Sequence, residues 1–242
     1  MTSQLPLFAP RDPNDAWTVR TSRRARRLSV RIYPGGRVEI VAPMGASAGV
    51  VQRFIGEHRR WIDDRVRDFA ALPSVATELP TEIELIGIGT RYCIDYVSRA
   101  GAPRARIVAP GQLRVSGSVA NHHAVAKALR RWLADTAAEY LGRQLRAVAN
   151  EFGFDYARMQ VRRQRTRWGS CSMSGTISLN VCLVFLEPAI VRYLMIHELC
   201  HTRQMNHSPR FWSLVAACEP SFRPLDQALT RSWQQVPWWM FG

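Results

Sequence analysis

The run His197-Glu198-Leu199-Cys200-His201, followed by His207, constrains the fold more than any other feature of the chain. Residues four apart on a helix lie one turn above each other with Cβ atoms about 5–6 Å apart. His197 and His201 can therefore converge on one ion only if this stretch is helical. Glu198, one residue on, is rotated by about 100°, so it flanks the ion and does not ligate beside the histidines. An unbroken helix would carry His207 through about 600° beyond His201, to the far side. A third histidine ligand therefore demands a break in the helix before residue 207.

The sequence supplies that break. Ser208 is a good N-cap and Pro209 suits a first helical position, so a new helix is predicted to start there. Asn206 tolerates the left-handed conformation that often ends a helix. At the other end, Glu187-Pro188 reads as the start of the motif helix, and Ile190, Val191, Leu194 and Met195 give it an apolar stripe. Three neutral nitrogens suit a catalytic Zn2+ with an open fourth position, where bound water has a pKa near 7 and Glu198 can act as its base.

Three further segments extend the pattern: Arg167-Trp168-Gly169-Ser170-Cys171-Ser172, Ile177-Ser178-Leu179-Asn180, and Asn206-His207-Ser208-Pro209-Arg210-Phe211-Trp212. With Tyr193 to His201 they resemble the YgjP-type family of zinc-dependent metallopeptidases, distantly related to the SprT and Wss1 proteases. The resemblance is specific over about residues 158 to 215. It implies a zincin-like catalytic domain with His197, His201 and His207 on zinc and Glu198 as general base. The spacing of His207 also equals that of the metzincin pattern, but Gln204 stands where that pattern has glycine.

Trp168 to Ser172 reads as a turn into an alternating strand over Thr176 to Leu183. Ile177 to Asn180 is the expected edge on which an extended peptide pairs by main-chain hydrogen bonds. Arg167, Trp168, Ile177 and Asn180 are thus the candidate substrate-binding residues. Packing and capping are the equal alternative for Trp168 and Asn180.

Charge bears on partners. The net charge is +14, and all but one of the 33 basic residues are arginine, Lys127 being the exception. Arginines crowd at Arg23, Arg24, Arg26 and Arg27, and again at Arg162, Arg163, Arg165 and Arg167. With no base-reading motif beside them, such patches are read first as a solvated, arginine-biased surface; the alternative is nonspecific binding of nucleic acid through counterion release. The expected partner is a peptide or protein substrate, with nonspecific nucleic acid through the arginine clusters. The sequence carries no signal of oligomeric state.

Two functions compete with a peptidase. A metal-dependent nucleotide phosphoanhydride hydrolase would use the arginines to neutralise phosphate. An Arg-rich nucleic-acid-associated protein would carry zinc structurally, but structural sites are usually closed by four protein ligands.

The expected fold is α+β, with an N-terminal mixed or antiparallel sheet with helices followed by a zincin-like domain. A tail covers residues 1–16, a β-rich subdomain 17–117, and a long bridging helix with the catalytic domain 118–242. Strands are expected within Trp17 to Ala42 with a turn at Pro34-Gly35-Gly36, a helix over Ser47 to Leu72, and strands over Ile83 to Tyr96 and Ala105 to Ser116. A connection is expected over residues 72–80 and a helix from Ser118 to Phe152. Length and 47% hydrophobic content suffice for a sizeable core. No run approaches the roughly 20 apolar residues of a membrane span, and the start lacks a signal-peptide pattern. Membrane association is not expected, and the expected location is cytoplasmic.

The cysteines at 93, 171, 182, 200 and 218 fit neither a disulfide framework nor a cysteine zinc site. Cys200 is expected to be a small buried residue. His58, His122 and His123 lack partners at ligand spacing. The aromatic tail Trp233 to Phe241 is expected to dock on the core.

Overall fold

A computed structural model describes residues 17–23, 25–32, 38–70, 78–164 and 167–241. Contacts divide the chain into two compact units, the first ending at Thr77 and the second running from Glu78 to Met240. The sequence reading instead set its boundary after residue 117. The difference has a packing cause: the sheet over residues 82–117 shares its core with the long helix that follows it.

In the first unit, β1 (Trp17–Ser22), β2 (Ser29–Ile32) and β3 (Val38–Pro43) form a sheet of order β1-β3-β2, parallel between β1 and β3 and antiparallel between β2 and β3. One helix follows, α1 (Ala48–Ala70). Its Val51 and Ile62 join Val38, Ile40 and Ala42 in a buried cluster, as the expected apolar face requires. The Pro34-Gly35-Gly36 turn, the N-terminal tail, Arg24, Arg165 and most of the 72–80 connection lie outside the described residues.

The second unit opens with a four-stranded mixed sheet of β4 (Glu82–Leu85), β5 (Thr90–Ser98), β6 (Arg104–Ala109) and β7 (Gln112–Gly117), ordered β4-β5-β7-β6. Alternation puts Ile83, Leu85, Leu113 and Val115 inside. Against this sheet lies α2 (His122–Phe152), capped by Asn121, whose side chain accepts from the amide of Ala124 at 3.0 Å. Tyr92 meets Trp132 edge to face, with centroids 5.2 Å apart. Further along, α2 packs on the second sheet and on the motif helix, so it links both.

That second sheet holds β8 (Arg158–Arg162), β9 (Gly169–Cys171) and β10 (Thr176–Asn180) in the order β8-β10-β9. β10 is parallel to β8 and antiparallel to β9. A 3-10 segment, Val181–Phe185, follows, and the short turn Ile86–Ile88 from the first sheet packs on it. Glycine eases this approach at residue 87: a Cβ there would lie 3.1 Å from the carbonyl oxygen of Leu186, so the backbone would have to give by a few tenths of an ångström. The chain then forms α3 (Pro188–Cys200), α4 (Pro209–Cys218) and α5 (Phe222–Arg231). Among the described residues no helix is long and apolar enough to cross a membrane.

The tail docks, as its composition suggests. Val236, Trp239 and Met240 are buried, Trp239 meets Phe185 edge to face at 6.0 Å, and Trp233 stacks on Trp168 at 4.1 Å. Arg130 donates to the carbonyl of Trp239 at 2.6 Å and Arg163 to that of Met240 at 3.1 Å.

Asn180 joins these parts. Fully buried, it donates through Nδ2 to the carbonyls of Gln164 and Arg167, both at 2.8 Å, and accepts from the amide of Cys182 at 3.1 Å. Replacing it by alanine orphans three main-chain groups, and each buried orphan costs about 1–3 kcal/mol. Urea unfolding of Asn180→Ala is expected to show a loss of about 3 kcal/mol or more.

Candidate metal centre

Each ligand candidate reaches the centre by a different local device. Glu187 and Pro188 start α3 as expected. The helix is buried on nearly every side, with Tyr193, Met195, Ile196, Leu199 and Cys200 at zero exposure. His197 and His201 therefore project from a rigid rod, their ring centroids 5.0 Å apart.

The rod ends at His201, after which the amide of Arg203 donates to the carbonyl of Cys200 and so does that of Gln204. No non-glycine residue among those described has a positive φ, so the left-handed Asn206 expected from sequence does not occur. A tight turn after Cys200 redirects the chain instead. Ser208 then caps α4, its Oγ accepting from the amide of Phe211 at 3.4 Å, with Pro209 in the first turn. His207 swings back so that its Nε2 lies 3.1 Å from Nε2 of His197.

The ligand atoms of His197, His201 and His207 all lie within 4.8 Å of one another. A tetrahedral zinc with bonds of about 2.0–2.1 Å sets ligand nitrogens roughly 3.3 Å apart. The three imidazoles fit such an ion. Aromatic rings from α4 hold them: Phe211 stacks on His201 at 4.4 Å, and Trp212 on His207 at 5.7 Å.

The outward nitrogens are also accounted for. Nδ1 of His201 lies 3.0 Å from the carbonyl oxygen of Gln204, so it donates there and its Nε2 keeps a free lone pair. Tyr193, one turn before His197, donates its hydroxyl to Asp226 of α5 at 2.8 Å. The same oxygen stands 3.5 Å from Nδ1 of His197. Burial, and then the neighbouring His201 and His207, push the His197 imidazolium down to about 3, so the ring is neutral near pH 7.

Glu198 sits beside the histidines at 4% exposure, with an Oε2 that has no hydrogen-bond partner. Burial raises its carboxyl to about 8, against a smaller opposing pull from Arg167. A buried carboxylate oxygen without a partner costs free energy unless something facing it compensates. A cation at the histidines would do so. Gly169 of β9 makes the room: a Cβ there would lie 2.6 Å from Oε1 of Glu198.

The four residues expected at the substrate edge are not brought together on a surface. β10 is the interior strand of its sheet, paired on both sides. Ile177 and Asn180 are fully buried and Trp168 is 6% exposed beneath Trp233. These three are core and loop-holding residues, which corrects the reading of Ile177 to Asn180 as an edge. Alternating strands look alike whether they lie at an edge or inside, so the pattern could not distinguish them. Arg167 alone is exposed, close enough to act on Glu198. Sequence reasoning gave no role to Gly169, Tyr193, Gln204 or Asp226. Tyr193 carried a signal, one turn before His197; Asp226 carried none.

Comparison with known families supplies the deciding observation. The model of the YgjP-like, metallopeptidase domain matches residues 26–232. The chain belongs to the YgjP-like metallopeptidase family. That membership makes it a hydrolase of peptide bonds that depends on a metal. Among solved structures, the metallopeptidase zymogen of Pyrococcus abyssi abylysin is similar at 22% identity and a TM-score of 0.36, covering 40% of this chain and 98% of its own. The zymogen of Methanocaldococcus jannaschii jannalysin is similar at 14% identity and a TM-score of 0.35, covering 38% and 96%. No curated protein matches the chain.

The raised Glu198 carboxyl has a measurable sign. A folded-state pKa near 8, above the usual carboxylate value of 4.5, means that the metal-free fold binds the extra proton between those values. Stability contributed by this group is full below about 4.5 and is lost as pH rises through about 8. Glu198→Gln removes the loss. In metal-free protein, urea unfolding is expected to show the variant gaining on the parent as pH rises from 5 to 9; a constant difference would contradict the buried acid.

Proposed function

We propose that the YgjP-like chain is a zinc-dependent peptidase in which His197, His201 and His207 hold the ion and Glu198 is the general base. The observation that carries this reading is the pairing of three converging imidazoles with a buried, partnerless carboxylate oxygen. Zinc on three neutral nitrogens supplies a Lewis acid that polarises a carbonyl and lowers the pKa of water to about 7.

The protein's own groups do the rest. Oε2 of Glu198 takes the proton of the attacking water and passes it to the departing amine nitrogen. His201 is fixed by Gln204, and His197 is steadied by the Tyr193 hydroxyl that Asp226 orients. Gly169 keeps the carboxylate in its place against β9. β9, paired only with β10 among the described strands, takes over as the edge for an extended peptide, with Arg167 at its entrance. All five cysteines are free thiols, which supports a reducing, cytoplasmic setting.

Glu198→Gln is expected to retain about one zinc per chain and to lose at least about 100-fold in hydrolysis of a denatured protein. Gly169→Ala, which pushes the carboxylate aside, is expected to retain zinc and to lose about tenfold or more. Both are read by metal analysis alongside peptide release. Hydrolysis of nucleoside triphosphates but not protein, abolished by Glu198→Gln, would replace the peptidase reading with the phosphoanhydride one.

A further inference from the structure

On the surface of α2, away from the histidines, His123, Lys127, Arg130 and Arg131 face Arg162 and Arg163 of the β8 end across a hollow of about 510 Å³. Among the described residues no aspartate or glutamate lines it; the remaining lining is Ala134, Val161 and Val181. A second hollow of about 210 Å³ adjoins it at Arg131 and adds Arg104 and Arg106 from β6, with Asp135 its one acid. Arg104, Arg106, Lys127, Arg131 and Arg162 form no ion pair with a described carboxylate. Elsewhere in this basic chain arginines do find acids, as Arg192 does Glu151 and Arg114 does Asp95.

Like charges brought together without counterions destabilise the fold unless a ligand or salt neutralises them. We infer that these two hollows form a track for the phosphate backbone of single-stranded nucleic acid. Three observations favour that ligand. His123, Lys127 and Arg131 recur every four residues, one row about 12 Å long on the helix, and β6 and β8 extend it to either side. A track over three elements outruns a single nucleotide. The cations line two hollows of about 510 and 210 Å³ that adjoin at Arg131, room for the phosphates of a flexible single strand. Guanidinium forks match phosphate oxygens bidentately. Trp132, the one aromatic among the described residues that line the track, is buried, so those residues offer bases no stacking platform and binding is indifferent to sequence.

The track is separate from the metal centre. It lies on β8, whereas α3 packs against β9, at the opposite edge of the same sheet. Its failure therefore leaves the peptidase reading untouched, and the reverse holds too.

The test is fluorescence anisotropy of a labelled 20-nucleotide mixed-sequence single-stranded DNA with the full chain, titrated with KCl. The variant Lys127→Ala/Arg131→Ala/Arg162→Ala is expected to bind at least about tenfold more weakly at 100 mM salt. Its log–log salt slope should fall by about 2, since each single-strand phosphate contact contributes about 0.7. Duplex DNA of the same sequence and tripolyphosphate are expected to bind parent protein more weakly than the strand does, and polyglutamate is expected not to displace it. Parent-like affinity in the variant, tighter duplex binding, or equal competition by polyglutamate or tripolyphosphate would each overturn the proposal. Hydrogen exchange on unmutated protein gives a second readout: the strand should protect residues 122–135 and 158–163, and the absence of protection there would also overturn it.

Discussion

The burial of α3 governs the rest of the second unit. A helix buried by β9, α2, α4 and α5 together cannot rotate or slide without breaking contacts on every side. Its two histidines are therefore fixed before any ion arrives, as metal sites require if they are to hold geometry and leave a position open. The same burial forces a cost. Glu198 lies on that helix and is carried into the interior, where a carboxylate is unstable alone. Three neighbouring imidazoles, of which burial chiefly holds those of His197 and His201 below their usual range, provide the seat for a compensating charge. The fold thus contains a buried acid that makes physical sense beside a cation.

Support for the site comes from far apart in the chain. α4 contributes His207 and the rings that hold the imidazoles, α5 contributes Asp226, and β9 contributes the glycine against which the carboxylate lies. Trp233, from the tail, stacks on the residue just before that glycine. The centre is therefore a product of the whole second unit and not of the motif helix alone.

Much of this was legible in the sequence wherever the physics was local. The start of α3 at Pro188, its end before His207, and the restart at Ser208-Pro209 follow from capping chemistry within a few residues. The four-residue spacing of His197 and His201 specified their shared face. The long helix α2 and the hairpin strands before it followed from period and turn residues. The tail's docking followed from its aromatic content. The expectation for Asn206 failed because an αR C-cap with successive turn hydrogen bonds satisfied the same carbonyls that a left-handed residue would have. Ile177 to Asn180 was misplaced because edge or interior status is set by β8, a partner nearly 20 residues away. Asp226 and Gly169 were silent for the same reason: their importance arises only when distant elements meet. The basic row on α2 was hidden by the apolar stripe of the same helix, which drew the periodicity argument to its other face.

The central claim is that three histidines, and no sulfur, hold the metal. X-ray absorption at the zinc edge of the purified protein tests it most directly. The account predicts three imidazole nitrogens and one further light atom at about 2.0–2.1 Å. A zinc–sulfur distance of about 2.3 Å, bringing in Cys200 or Cys171, or protein that binds no zinc, would contradict it.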